Sequence, residues 1–368
     1  MSGLHPLPYP IYFVNDETER WHDLYHLDAL PSNVDQFLER CASSMDVWSA
    51  QTYLILKQQG LNVHFVPRVI PGQICIVPYH YLKLRNLPFH SYVVGFQYDC
   101  ARPEICEQRI MLNQRVVMGD NDHVVHHWPH PLLKPRDRTR GFDVQTVAFK
   151  GRARNLATPF RDPAFAQALK DYGINFCLDA EGDQNNSAAS LRSWGDYTNN
   201  DVTLSVRNAT ENDLLMKPAV KLINAWHSGC PTLVSPEPAY QALYRSELDY
   251  IEVRSPKDVI AALKQLKDQP DRYAAMIANG FARAQDFTNE RLALQWYELL
   301  AGPIAEGYTQ WHKQSALQKL IGRPVQFMQR TVQHKQELKR YVYNIHHGTR
   351  LFKNEKLDNT AQLSVASK

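Results

Sequence analysis

The sequence predicts an α/β protein of two Rossmann-like domains facing a cleft, followed by a basic helical C-terminal extension. Three observations carry that expectation. Strand, helix, glycine and strand recur in that order in both halves of the chain, the pattern of mostly parallel sheets with helical crossovers. A stretch rich in Pro, His and Arg, without helical or strand periodicity, separates the halves. The length of 368 residues gives each half its own buried core and leaves room for an appendage.

In order, PIYFV at 10–14 reads as the first strand, ending in the polar run NDETER. A helix is expected from about Asp46 to Gln59, with Val47, Ala50, Leu54 and Leu56 along it and Gly60 at its C-terminal cap. LNVHFV, QICIVP and SYVVGF follow as strands, so the first domain is placed at 1–130 and the linker at 131–141. His126, His127 and His130 have no carboxylate or cysteine at ligand-like spacing. They read as polar linker residues, with a metal site as the alternative.

The second domain, 142–302, opens with the strand VQTVAFKG and continues through the helix PAFAQALKDYG and the strand INFCL. DVTLSVR, the helix begun by KPAVK, and the strand PTLV come next. DYIEV and two helices close the domain, the first capped by Ser255 before Pro256. From 303 to 368 the character changes. Between Trp311 and Lys356 ten Lys and Arg stand against two acids, Glu337 and Glu355, with Leu317, Leu320, Phe327, Val332 and Tyr341 among them. This reads as a broken, basic, amphipathic helix, and DNTAQLSVASK at the end as a disordered tail.

Composition narrows the function classes. Hydrophobic residues make up 44% and charged residues 21%, a globular balance, and a net charge of +3 gives no bulk electrostatic case for nucleic acid. No apolar run approaches the ~20 residues of a membrane span. The N-terminus lacks the charged start and cleavage site of a signal peptide, which places the chain in the cytoplasm. Six cysteines without a CxxC pair point to reduced thiols rather than to disulfides or zinc.

Open α/β sheets bind ligands beyond the carboxyl ends of their strands, so residues there carry the chemistry. Gly151, Arg152 and Arg154 follow VAFK, and Arg207 follows DVTLSV. Lys217 stands just before Pro218, which fits a first helical turn, and Lys221 lies one turn in. Cations at a helix N-terminus cost ~0.3–1 kcal/mol unless an anion offsets them. A diphosphate answers both lysines, the helix amides and a neighbouring arginine; solvated surface lysines are the alternative.

KLINAWHSGCPTLVSPEPAY resembles the donor-binding segment of GT-B glycosyltransferases, where a helix of the type LEAMAxGxPVV precedes a strand. FKGR is similar to their opening strand and Gly-Arg turn, and DRYAAMIANGFARAQDFTNERLALQWYELL to the helical end of their second domain, so the resemblance spans roughly 144–300. In related retaining transferases an E-x7-E motif brackets the site. Here Met216 and Asn224 stand at those positions, and the Asn224 amide can still hydrogen-bond a ribose hydroxyl.

The resemblance implies transfer of a sugar from a nucleotide-diphosphate donor to a glycan, lipid-linked or small-molecule acceptor, as in polysaccharide biosynthesis. Lys and Arg would stabilise the leaving diphosphate, with no metal and no other cofactor, the nucleotide sugar being the donor substrate. Asp120-Asn121-Asp122 and Asn200-Asp201 are the nearest approach to a cation-holding acidic pair, the first near the linker and the second entering a strand. Arg152 and Lys217 are the expected stabilisers, and Asp46 the first choice for the acceptor's proton, among Asp16, Glu17, His80 and Asp99, with a helix-cap role as the equal alternative for Asp46. Tyr197, with Trp194 and Asp196, would border the base or donor sugar, a capped loop packed by its Trp being the equal alternative; Trp48, Tyr79 and Tyr81 would stack on an acceptor, with core packing as the alternative. A nucleotide-sugar epimerase and a non-catalytic nucleotide-sugar binding protein of the same fold stay as alternatives. For 311–356 the readings are packing across the first domain or contact with an anionic membrane at its inner face.

Overall fold

The computed structural model describes residues 4–25, 27–84, 88–179 and 188–352. Its first sheet runs β1 (Ile11–Val14), β2 (Val63–Val66), β3 (Ile74–Pro78), β4 (Tyr92–Phe96), β5 (Gln108–Met111) and β6 (Asp122–Val124), in the spatial order β2-β1-β3-β4-β5-β6. Its second runs β7 (Thr146–Lys150), β8 (Asn175–Asp179), β9 (Val202–Ser205), β10 (Thr232–Val234) and β11 (Ile251–Glu252), in the order β11-β10-β9-β7-β8. Every pairing is parallel. β3, β4 and β9 are buried along their whole length, as strands covered by helices on both faces must be. This is the GT-B architecture, as expected.

β5 and β6 escaped the sequence reading because they are short and polar. Their polar residues have fixed partners: Gln108 donates to the Tyr92 hydroxyl at 2.7 Å, and Asp122 takes Arg102 through both oxygens at 2.6 and 2.7 Å. Asp122, read as half of an acidic pair, is thus a strand residue neutralised by arginine.

The helix expected from Asp46 starts at Ser44 and passes through a π-turn at Val47–Gln51 before Thr52–Gln58. Ser43 is its N-cap and Asp46 the third residue of a capping box. The helix expected from Pro218 starts at Val220, with Ala219 as its N-cap, and ends at Gly229 in the left-handed region with φ +66°. Lys217 therefore belongs to the turn between helices, while Lys221 lies in the first helical turn.

After Asn289–Leu299 the chain crosses back to the first domain. In Ala305–Lys313, Tyr308 and Trp311 pack on Tyr92, and the Tyr308 hydroxyl donates to the Gly72 carbonyl at 2.6 Å. A break precedes the long helix Arg323–His347. Its Arg330 grips Glu107 with both guanidinium nitrogens at 2.5 and 2.8 Å, and its Tyr341 hydroxyl donates to the Asp99 carbonyl at 2.8 Å. Beyond it, Arg350 donates to the Asn208 amide oxygen at 2.6 Å and Phe352 packs edge-on to Phe160 at 5.2 Å. The extension thus packs across the first domain and ends on the second. The tail read as disordered lies outside the described residues.

Candidate anion-binding site in the interdomain cleft

In the second sheet the chain leaves β7 toward β8 on one side and returns to β9 on the other, so the carboxyl ends of β7 and β9 flank a switch point. A cavity of about 330 Å³ opens there. Lys150, Gly151 and Arg152 reach it from the end of β7, Arg207 from the end of β9, and Lys217, Lys221 and Asn224 from the turn and helix between β9 and β10. Ser43, Ser44, Tyr98, Asp99 and His127 face it from the first-domain side.

Charge decides what the cavity can hold. Among its described lining residues five are cationic (Lys150, Arg152, Arg207, Lys217, Lys221) and two are carboxylates (Asp99, Asp213). Arg207 is ion-paired with Glu237, which is fully buried and also accepts from the Ser235 hydroxyl at 2.8 Å. Lys217 lies 3.1 Å from Asp213 and 3.9 Å from Asp99. Burial works to lower its pKa, but these two carboxylates carry it above the ordinary lysine value.

Lys221 has weaker relief, from Glu237 alone, which does not offset burial and Arg207. Its ammonium sits 4.2 Å above the Phe149 ring, and burial together with Arg207 pulls its pKa down to about 7. A lysine held this way gains its charge cheaply only when an anion arrives. Gly151 forms the turn beside it. Its φ of +143° suits glycine alone, and a Cβ there would lie 3.5 Å from the Lys221 nitrogen and 3.4 Å from the Phe149 ring.

The sequence-derived site residues divide into three groups. Gly151, Arg152, Arg207, Lys217, Lys221, Asn224 and Tyr197 all line the one cavity. Arg154 does not: it is exposed, and its carbonyl accepts from Arg161 at 2.6 Å on the outer side of the turn. Asp46 is corrected outright. It is fully buried, ion-paired to Arg20 at 2.7 Å, and accepts from the Trp21 indole and the Ala42 and Ser43 amides at 2.9–3.0 Å, so no acceptance capacity faces the cleft. Trp48, Tyr79 and Tyr81 are likewise buried, Trp48 against Phe96 and His127, rather than offered to an acceptor.

Asn224 points its amide oxygen at the His130 backbone N–H, 2.9 Å away, tying the linker to the cavity wall. Of the other first-domain candidates, Asp16 is ion-paired with Lys83 and His80 sits 3.2 Å from the Cys100 sulfur, while Asp99 lines the cavity.

Sequence reasoning passed over Lys150, Glu237, His127 and His130. Lys150 is buried, pairs with Asp179, and lies 5.0 Å over the Tyr197 ring. Glu237 stood in the quoted SPEP run, where an acid just past a strand could have been read as a partner for Arg207. The histidines were visible as residues but not as cavity wall. Nδ1 of His127 is 2.6 Å from the Trp128 carbonyl, so it carries the proton and Nε2 keeps a lone pair. In His130 the order is reversed: Nδ1 accepts from the Leu132 N–H at 3.1 Å, so Nε2 carries the proton and faces the Leu191 backbone, while the Trp194 indole N–H is buried without a protein partner. Burial pushes both imidazoles down to about 4, so both are neutral near pH 7. Among the described residues no group of three His, Cys, Asp or Glu could hold a metal ion.

The structure is thus a pair of parallel α/β sheets with a cation-lined cavity at the second sheet's switch point. Residues 168–298 match a family model described as Glycosyl transferase-like, and the match falls within the span that resembles the transferase donor domain. No curated protein matches the sequence. Among solved structures, the chain is similar to HepE of Anabaena in complex with UDP, at 10% identity over 81% of this chain and 100% of that one, with a TM-score of 0.48. It is similar to sucrose-phosphate synthase from Thermosynechococcus elongatus at 15% identity, covering 77% and 82%, with a TM-score of 0.43. The pneumococcal O-GlcNAc transferase GtfA, in complex with UDP and GlcNAc, follows at 12%, 67% and 58%, with a TM-score of 0.41.

Proposed function

We propose that the protein is a glycosyltransferase that takes its sugar from a nucleotide-diphosphate donor bound in this cavity. The observation that carries the proposal is Lys221, a half-buried lysine over the Phe149 ring whose pKa is pulled to about 7 in a cavity whose lining holds five cations and two carboxylates. A diphosphate placed among Arg152, Arg207, Lys217 and Lys221 supplies the missing negative charge. As the glycosidic bond breaks, that charge grows on the leaving oxygen, so the same cations hold the transition state more strongly than the ground state. The step needs no metal, because fixed guanidinium and ammonium groups perform the neutralisation. On the first-domain side, Asp99 and the lone pair of His127 are the groups that can meet an acceptor hydroxyl. The Glycosyl transferase-like match over 168–298 supports the same reading.

The test is thermal shift with UDP-, GDP- and ADP-sugars, followed by hydrolysis and transfer assays. One donor class should stabilise the protein and be turned over. Stabilisation without turnover would point to a binding protein, and no response to any nucleotide would remove the proposal.

A further inference from the structure

The long helix Arg323–His347 is docked by one face only. Phe327 packs on Phe89 at 5.1 Å, Arg330 holds Glu107, the His334 ring lies against Tyr79 at 4.8 Å, and Tyr341 reaches Asp99. Those positions recur at three, four and seven residues, a single stripe. Turned away from it, Leu317, Leu320, Ile321, Val325, Met328 and Val332 recur at the same helical spacing and are 47–77% exposed. Exposed Lys335 and Lys339 continue the face beyond Val332 at the same three- and four-residue spacing, and exposed Lys313 and Lys319 flank it in the preceding sequence. The one acid of the helix, Glu337, is paired with Arg340.

A run of large hydrophobic side chains facing water, on a helix already anchored by its other face, marks a surface that something covers. The charge says what. A second copy meeting this face about a two-fold axis would bring lysines against lysines with no acids to answer them. A bilayer bearing anionic headgroups satisfies both features at once, since the leucines enter the interface and the lysines meet headgroup charge.

We infer that the outer face of 317–346 docks on an anionic lipid bilayer, the helix lying in the headgroup plane. The inference stands on this surface alone and is independent of the chemistry in the cavity. It adds to the sequence expectation for 311–356 by assigning the two faces separately: one packs on the first domain, the other is free for lipid.

Flotation of the full chain with phosphatidylcholine vesicles, with and without phosphatidylserine, tests it. Flotation is expected only with phosphatidylserine and is expected to fall as salt rises. Leu320→Glu with Met328→Glu should cut the bound fraction at least ~10-fold, and Lys335→Gln or Lys339→Gln roughly fivefold each. Thermal unfolding of these variants should be unchanged, because the substituted side chains are exposed. The inference is overturned if the wild-type chain does not float with anionic vesicles at low salt, or if the double Glu variant floats as well as wild type. It is also overturned if sedimentation shows a dimer that the Glu substitutions dissociate, which would assign the face to a second copy.

Discussion

The two ends of the second sheet handle buried charge in opposite ways. At its amino end, Asp201 is fully buried and saturated: Arg136 and Arg140 hold its two oxygens at 2.8 Å, and the Gln145 and Thr146 amides donate at 3.0 and 2.9 Å. At its carboxyl end Lys150, Arg207 and Lys217 keep carboxylate partners, while burial and the neighbouring Arg207 pull Lys221 down to about 7. The first arrangement is complete in itself and fastens the linker to the sheet. On the function proposed above, the second is completed by an added anion, the difference expected between a structural charge cluster and a binding site.

If the contrast is correct, substitutions at the two ends should separate binding from stability. The largest effect is expected from Lys217→Ala with Lys221→Ala, which should abolish the nucleotide-induced thermal shift, each change costing at least ~30-fold in affinity. Asp201→Ala should do the reverse, lowering stability by about 3–5 kcal/mol, since it leaves two guanidinium groups without their shared partner. In urea unfolding its midpoint should drop sharply, while donor affinity measured on the folded fraction stays near wild type.

Gly151→Ala lies between these extremes. Its strained φ should cost about 1–3 kcal/mol of stability, and the added methyl beside Lys221 should weaken nucleotide binding as well. A variant that lost neither would show that the turn is not needed for the cavity. Asp46→Ala should behave like Asp201→Ala rather than like a catalytic variant, with a lower unfolding midpoint and an unchanged donor shift.

The smallest and most diagnostic effect is on pH. Lys221 has a pKa of about 7 in the free protein, and a bound diphosphate raises it, so binding above pH 7 requires proton uptake. Affinity should therefore be fully present below pH 7 and fall as pH rises through it, by up to ~10-fold per unit. Lys221→Met should flatten that slope. It should also raise the melting temperature, because burial of this ammonium disfavours the folded state. Calorimetry in buffers of different ionisation enthalpy would detect the proton directly. A slope that persisted in Lys221→Met would assign the titration to another group.

Much of the cavity could be read from residues near strand ends. Gly151, Arg152, Arg207, Lys217 and Lys221 were visible because a parallel sheet delivers its loop residues to one edge, and local order fixes which loops those are. Arg154 was misplaced for a local reason: two residues of a 3-10 turn after Arg152 carry its side chain to the outer side, a rotation that spacing alone does not report. Asp46 takes its alternative reading, the helix-cap role legible in Ser43-x-x-Asp46; its further partners Arg20 and Trp21 lie 26 and 25 residues away in sequence, and only the tertiary structure brings them to it.

By itself the sequence determined the two-domain α/β class, the site's position beyond β7 and β9, and its cationic character. These follow from hydrophobic periodicity and from residue types at strand ends, both of which are local. Tertiary structure alone decided which cations keep acids and which lack them, that His127 and His130 form cavity wall, and that the last helix shows one face to protein and another to solvent. Those outcomes depend on distances between segments far apart in the chain, and a buried charge is defined by such neighbours rather than by its own identity.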